Sequence, residues 1–261
     1  MIIVDWSGRQ VPQRKSTWEC SKADKKEKGV AKMLLVIDSA NVEEIKELVE
    51  YYPVDGVTTN PSIIVKEKKG FVELLGEIRE AIGNERELFV QTLTFKAEEM
   101  VEEAKHIRET VQGNVVIKIP VTHEGIKAIK ALKAEGIRTM ATTIYTPLQG
   151  YLAAKAGASY VTPYVNRIDN LAGNGVNVVK EMIQMLEKHQ LNSQVLAASF
   201  KNVQQVHDVC LYGVHGVTAA PAIIKDFLAH PATEANVKVF SEDWQKAYGE
   251  KSVITTTTIR M

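Results

Sequence analysis

From Met33 onward the chain repeats one pattern: a short β-branched or apolar run, a polar residue at its end, then a stretch of helical periodicity. The runs lie at 34–37, 56–58, 88–92, 115–119, 139–145, 158–162, 194–198 and 216–218. Alternating short strands and helices build a parallel sheet, because each crossover returns the chain to the same end of the next strand. Eight such units in 229 residues (261 minus 32) imply a sheet closed on itself. The expected fold class is therefore α/β, a (β/α)8 TIM barrel with an additional C-terminal helix. A doubly wound open sheet competes, but no glycine-rich fingerprint follows the first strand. Ser62 is expected to cap the helix after the second strand, and Gly136 to end the helix over 124–134. The added helix is read from Val237, Phe240, Trp244, Ala247 and Tyr248, which fall at helical spacing. A closed barrel leaves that stripe nothing of its own to cover, so a subunit contact is expected.

Residues 1–32 read differently. They carry eight lysines and arginines against four acidic residues, without helical or strand periodicity. No apolar core with a cleavage site follows the charges, which argues against a secretory signal. The expected organisation is a leader or non-native extension over 1–32, the barrel with its C-terminal helix over 33–252, and a tail over 253–261. A basic docking arm is the functional alternative for 1–32. Formal net charge is zero, so neither nucleic acid nor an anionic membrane is an expected partner. Cys20 and Cys210 stand far apart without metal-ligand spacing, which fits a reducing, cytoplasmic setting. No apolar run approaches the roughly 20 residues that a membrane helix needs. The six histidines do not fall at strand ends or at metal spacing, so no metal is expected.

One strand carries a chemical anomaly. In Val115-Val116-Ile117-Lys118-Ile119-Pro120-Val121-Thr122 a lysine sits among β-branched residues, and Pro120, which cannot donate to a ladder, ends the run. Burying an ammonium favours its neutral form. Catalytic lysines are tuned from about 10.4 toward roughly 7–8, and a shift of about 3 units corresponds to roughly 4 kcal/mol. A neutral amine can form a Schiff base with a ketone. A lysine whose head snorkels to the strand end and pairs with a carboxylate is the plainer alternative.

A barrel of this kind holds its site at the C-terminal ends of the strands. The pattern places Asp38, Thr59, Asn60, Gln91, Lys118, Thr142, Thr143, Tyr164, Arg167, Ser199 and Lys201 there. Asp38 and Asn60 can orient ketose hydroxyls, and Tyr164 can exchange protons through a water. Arg167, Ser199 and Lys201 make a phosphate clamp. Each has a structural alternative: Asp38 as the countercharge of Lys118, Asn60 as a turn residue, Arg167 paired with Asp169, Gln91 as a satisfied core amide, Thr142 and Thr143 as strand formers.

Four ordered motifs resemble the transaldolase family, most closely its small fructose-6-phosphate aldolase-like branch. They are Gly56-Val57-Thr58-Thr59-Asn60-Pro61-Ser62, Val116-Ile117-Lys118-Ile119-Pro120-Val121-Thr122, Pro163-Tyr164-Val165-Asn166-Arg167-Ile168-Asp169 and Ala197-Ala198-Ser199-Phe200-Lys201. The resemblance implies a class I aldolase barrel with a Schiff base on Lys118, no metal and no cofactor. It implies substrate contact and proton traffic for Asp38, a dihydroxyacetone contact at Asn60 beside Thr58, phosphate binding by Arg167 and Ser199, and a water held by Thr142. It also implies a ring-shaped pentamer or decamer in which the C-terminal helix packs on a neighbour. Gln91 and Tyr164 stand where true transaldolases carry a glutamate and commonly a phenylalanine. That pairing resembles the branch that releases free dihydroxyacetone. The expected activity is reversible cleavage of fructose 6-phosphate, or a similar ketose phosphate, to dihydroxyacetone and glyceraldehyde 3-phosphate. Transaldolase activity and a non-catalytic sugar-phosphate-binding barrel are the alternatives. Thr162 and Thr218-Ala219-Ala220-Pro221 depart from the branch and put the acceptor aldehyde in question.

Overall fold

The computed structural model of the protein describes residues 32–249. Apart from Lys32, the expected leader lies outside the described residues, as do the tail and Cys20. Strands and helices alternate as the sequence predicts. The first half runs β1 (Leu34–Asp38), α1 (Val42–Tyr51), β2 (Gly56–Thr58), α2 (Pro61–Ile64), α3 (Phe71–Ile82), β3 (Glu87–Gln91), α4 (Ala97–Thr110) and β4 (Val115–Pro120). The second runs α5 (His123–Ala134), β5 (Thr139–Ile144), α6 (Pro147–Ala156), β6 (Tyr160–Pro163), α7 (Val165–Asp169), α8 (Gly175–Lys188), β7 (Gln194–Ala197), α9 (Val203–Leu211), β8 (Gly216–Ala219), α10 (Pro221–Lys225) and α11 (Pro231–Tyr248). The strands close in sequence order, β1 pairing with both β2 and β8, and every pairing is parallel. The fold is a (β/α)8 barrel.

Period-2 alternation sorts the strand residues into two cores. Val36, Phe89, Val116, Met140, Tyr160 and Leu196 point inward and fill the barrel. Ile37, Leu88, Val90, Ile117, Ile119 and Val217 point outward against the helices. Full burial of each such side chain stabilises by roughly 1.5–3 kcal/mol. Phe89 meets Tyr160 edge to face at 5.4 Å in the barrel centre.

The two ends of the barrel are built differently. At the N-terminal end Glu87, Arg138 and Tyr160 form a closed polar plug. The Arg138 guanidinium contacts the Glu87 carboxylate, donates to Tyr160 Oη at 3.1 Å and reaches Asn114 Oδ1 at 2.9 Å. Tyr160 Oη donates in turn to Glu87 Oε2 at 2.8 Å. The C-terminal end opens.

Local chemistry explains the turns between the two ends. Asn60, not Ser62, is the N-cap of α2: its Oδ1 accepts from the amides of Ser62 and Ile63 at 3.0 and 3.2 Å. The reason is Pro61, whose fixed φ suits the first helical position and places the cap on the residue before it, two residues back from Ser62. Gly136 adopts φ +71° directly after the last turn of α5, the left-handed conformation that favours glycine there. Gly125 is required in that helix, because a Cβ there would lie 1.9 Å from the Pro120 carbonyl oxygen. The first turn of α5 thus packs directly on the end of β4. The C-terminal helix forms as its periodicity predicts, with Val237, Phe240 and Tyr248 exposed and none of its residues buried.

One outward-facing residue departs from the rule that buried polar atoms are paired. Thr139 is buried, yet its hydroxyl has no hydrogen-bond partner. Thr139→Val removes that group at nearly constant shape, so the variant is expected to be more stable by about 1 kcal/mol. The urea midpoint checks this; a lowered midpoint contradicts it.

Candidate active site

Lys118 is the fourth residue of β4 and points into the barrel, above Val116. Only 5% of it is exposed. Its Nζ donates to the Thr59 carbonyl oxygen at 2.5 Å. No carboxylate of the described residues lies within ion-pair distance. Burial lowers the pKa of the amine to about 8, and the more distant charge of Asp38 pulls only partly the other way. Asp38 is thus an electrostatic neighbour of the lysine, not its ion-pair partner. At pH 7.5 roughly a quarter of such an amine is neutral, against about one part in a thousand at its ordinary value.

The strand ends around Lys118 line a cavity of about 290 Å³. Asp38, Thr58, Asn60, Gln91, Tyr164, Arg167 and Ser199 all border it with Lys118. Asp38 ends β1, and its Oδ1 accepts from Thr58 Oγ1 at 2.8 Å. The Asn60 amide oxygen is committed to the α2 cap, which leaves its Nδ2 as the donor facing the cavity. Gln91 pairs with Lys118 in the β3–β4 register, and its amide makes no hydrogen bond to a described residue. It is not a satisfied core amide.

Tyr164 follows β6 and is fixed by backbone bonds on both sides. Its amide donates to Ile144 O at 3.1 Å, and the next two amides donate to Ala198 O and Ser199 O at 2.9 and 2.7 Å. Its Oη shares a proton with Thr142 Oγ1 at 2.7 Å. The Arg167 guanidinium lies over its ring at 4.7 Å. Burial raises the phenol pKa, opposed by the Thr142 hydrogen bond and the Arg167 charge. The phenol is therefore protonated at neutral pH, able to give a proton and take it back.

Thr142 itself is buried behind the cavity wall. The β5–β6 register shifts between Ala141 and Ile144, with Thr143 at φ +59°. That irregularity lets Thr142 meet the phenol while Thr143 borders the cavity. Ser199, at φ +63°, makes a second left-handed turn on the other side of Tyr164. Such turns in non-glycine residues cost about 1–3 kcal/mol each and concentrate at functional sites.

Arg167 is exposed and pairs with no carboxylate among the described residues. Asp169 instead accepts from the Gly175 amide and from Gln205 Nε2, both at 2.7 Å. The guanidinium is left to an anion at the cavity rim. Lys201 is not brought to the cavity. It is exposed, and its amide donates to Gln205 Oε1 at 2.7 Å, because the chain turns away after Phe200 to cap α9 with Asn202.

Thr162 and Thr218, read from the sequence only as departures from the branch and not as site residues, also border the cavity. The Thr162 hydroxyl is buried without a partner, and Thr218 Oγ1 lies 2.5 Å from Thr58 Oγ1. Inward alternation on β6 and β8 was the signal that could have found them. The described residues contain no group of three or more His, Cys, Asp or Glu able to hold a metal. None of their helices is long and apolar enough to cross a membrane.

The arrangement can form a covalent imine on an amine, move a proton through a neutral phenol, and bind an anion at the rim. A model of the family described as Transaldolase/Fructose-6-phosphate aldolase matches residues 35–258. The buried amine also has a stability consequence. Between about pH 8 and 10.5 the unfolded lysine holds a proton that the folded one lacks, so stability rises with pH across that window. Below about pH 8 the charged amine costs about 3 kcal/mol. Lys118→Met is therefore expected to be more stable than the parent near pH 7, with the difference vanishing above about pH 10. Urea titrations at both pH values test this; a difference independent of pH contradicts it.

Proposed function

This chain belongs to the transaldolase/fructose-6-phosphate aldolase family, whose chemistry is of the transaldolase or aldolase type, and on that premise we propose a Schiff-base aldolase. Its reaction is the reversible cleavage of fructose 6-phosphate, or a similar ketose phosphate, to dihydroxyacetone and glyceraldehyde 3-phosphate. One observation carries the reading: a buried amine of depressed pKa faces the same cavity as a protonated phenol, with no carboxylate of the described residues paired to it.

The neutral Lys118 Nζ adds to the C2 carbonyl. Loss of water from the carbinolamine gives an iminium, with the proton for the departing hydroxide supplied through Tyr164, whose phenol Thr142 orients, and a water held by Gln91. The C4 hydroxyl loses its proton, the C3–C4 bond breaks, and its electron pair flows into the iminium to leave an enamine. The aldehyde phosphate departs. The enamine is protonated at C3, and water hydrolyses the resulting iminium to free dihydroxyacetone and the amine. Asp38 and the Asn60 Nδ2 orient the hydroxyls of the three-carbon unit. Arg167 and Ser199 hold the phosphate, since a guanidinium presents a two-pronged donor to such an anion. The chemistry is all lysine chemistry and calls for no metal or organic cofactor.

The amide at Gln91 and the phenol at Tyr164 favour release over transfer. A glutamate shuttles protons and an amide does not. With the phenol as the proton carrier, water completes the cycle without a second sugar. Transaldolase, which passes the unit to an acceptor sugar, is the second reading. The zero net charge and the two separated cysteines fit a cytoplasmic enzyme. The exposed stripe of α11, with Val237, Phe240 and Tyr248, is best covered by another copy of the chain, in a pentamer or decamer.

Borohydride added with dihydroxyacetone is expected to leave one covalent adduct, on the Lys118 peptide. Fructose 6-phosphate alone is expected to yield free dihydroxyacetone. Adduct without free dihydroxyacetone unless an acceptor sugar is added would point to transaldolase. Sugar-phosphate binding that survives Lys118→Ala, with no turnover in the parent, would leave only a binding barrel. For the assembly, Phe240→Glu is expected to lower the mass seen by light scattering; a parent that elutes as a monomer overturns the oligomer reading.

A further inference from the structure

Among the described residues one hydrogen bond holds the Asp38 carboxylate, and that bond belongs to a chain. Thr58 Oγ1 donates to Asp38 Oδ1 at 2.8 Å. Thr58 Oγ1 also lies 2.5 Å from Thr218 Oγ1. A threonine hydroxyl has one hydrogen and two lone pairs, while an ionised carboxylate only accepts. Thr58 has therefore spent its hydrogen on Asp38, and the shorter contact must be donated by Thr218. Protons in this chain point one way, from β8 through β2 to β1. Both threonines are buried, at 1% and 2% exposure, and both line the cavity beside Lys118.

The topology makes the chain possible. Strand β1 closes the barrel between β2 and β8. Thr58 is in register with Asp38, and Thr218 is in register with Val36. The two hydroxyls thus come from the strands on either side of the carboxylate. The second torsion of an aspartate is broad, so packing alone does not fix the plane of its oxygens. A donor on Oδ1 does fix it and leaves Oδ2 toward the cavity. A hydroxyl that accepts a hydrogen bond becomes a stronger donor, so Thr218 strengthens the Thr58 bond without touching Asp38.

We propose that Thr218 is a positioning residue for the aldol reaction, the far end of a one-way Thr218–Thr58–Asp38 hydrogen-bond chain that holds the carboxylate in its working orientation. The role rests on the Schiff-base reading, in which Asp38 meets the hydroxyls of the ketose. It acts on the bond-breaking step and not on imine formation, because Lys118 donates its own hydrogen bond to the Thr59 carbonyl oxygen, outside this chain.

The test compares Thr218→Val, which keeps shape and loses the hydroxyl, with Thr218→Ser, which keeps the hydroxyl. Thr139→Val, a buried barrel threonine outside the cavity, is the control. Each variant is assayed for cleavage of fructose 6-phosphate and for the borohydride adduct with dihydroxyacetone. Thr218→Val is expected to lower kcat by about tenfold or more with KM within about threefold, since small misplacements of a reacting group carry costs of this order. It is expected still to form the full Lys118 adduct, which also shows that it is folded. Thr218→Ser and Thr139→Val are expected within about twofold of the parent. An unchanged kcat in Thr218→Val, with a parent that traps and turns over, overturns the chain alone. Equal losses in Thr218→Ser and Thr218→Val overturn it in favour of packing. A parent that forms no adduct overturns the Schiff-base reading and this role with it.

Discussion

The cost of holding an amine away from water is the constraint around which this protein is built. Lys118 sits where a hydrophobic barrel residue would be cheaper, and burial is the dominant influence on its pKa. A surface lysine would keep its water and its charge. A lysine paired directly with a carboxylate would also keep its charge. The barrel avoids both by surrounding the amine with closed strands, offering one carbonyl as acceptor, and keeping Asp38 beyond ion-pair distance. The remote carboxylate moderates the effect of burial without cancelling it. Reactivity and instability are here the same quantity, since the free energy that favours the neutral amine is withdrawn from the folded state.

Around that amine the strand ends depart from regular geometry where the chemistry needs it. Thr143, near the end of β5, and Ser199, just past the end of β7, take left-handed backbone conformations on either side of β6. Between them Tyr164 is tied to Ile144 on one side, and the residues after it to Ala198 and Ser199 on the other. Strain on both flanks and ladder bonds into both neighbours over-determine the position of one phenol. A tyrosine on a free loop would have the same chemistry and none of the aim. Arg167 stacks on the same ring from the short helix that follows, so the guanidinium and the phenol are placed by one segment.

Much of this was legible in the sequence, for identifiable reasons. The barrel follows from periodicity, because a strand buried on both faces reads as a short β-branched run and eight of these alternate with amphipathic helices. Lys118 was visible as a charge in a run that otherwise excludes charge. Asp38, Gln91 and Tyr164 were found as polar residues closing their runs. Thr162 and Thr218 were noticed only as departures from the resembled branch and given no role in the reaction, because threonine is itself a strand former and its chemistry is masked by its β-propensity. Only the closed barrel, which brings β8 beside β1, sets Thr218 against Thr58. Ser62 was mistaken for a cap because Asn60 read as a turn residue before proline, when it both caps the helix and borders the cavity. Lys201 was placed at the phosphate by proximity in sequence to Ser199, and the turn into α9 carries it away.

The contrast between the two ends of the barrel separates scaffold from site without reference to any particular residue type. Both ends are rich in polar groups. At the N-terminal end Glu87, Arg138, Tyr160 and Asn114 are bonded to one another, so the plug stabilises and offers nothing to a ligand. At the C-terminal end the Gln91 amide and the Thr162 hydroxyl are left without protein partners, and the Arg167 guanidinium without a carboxylate. The buried Thr162 hydroxyl alone costs about 1–3 kcal/mol, and a fold under selection for stability alone would pair or remove it. Such a deficit is tolerable because the double core, inside the strands and outside them, supplies stability to offset it. Thr139 is also unpaired but lies outside the cavity, so neither polarity nor a lone unpaired hydroxyl marks a site; several unmet groups gathered around one cavity do.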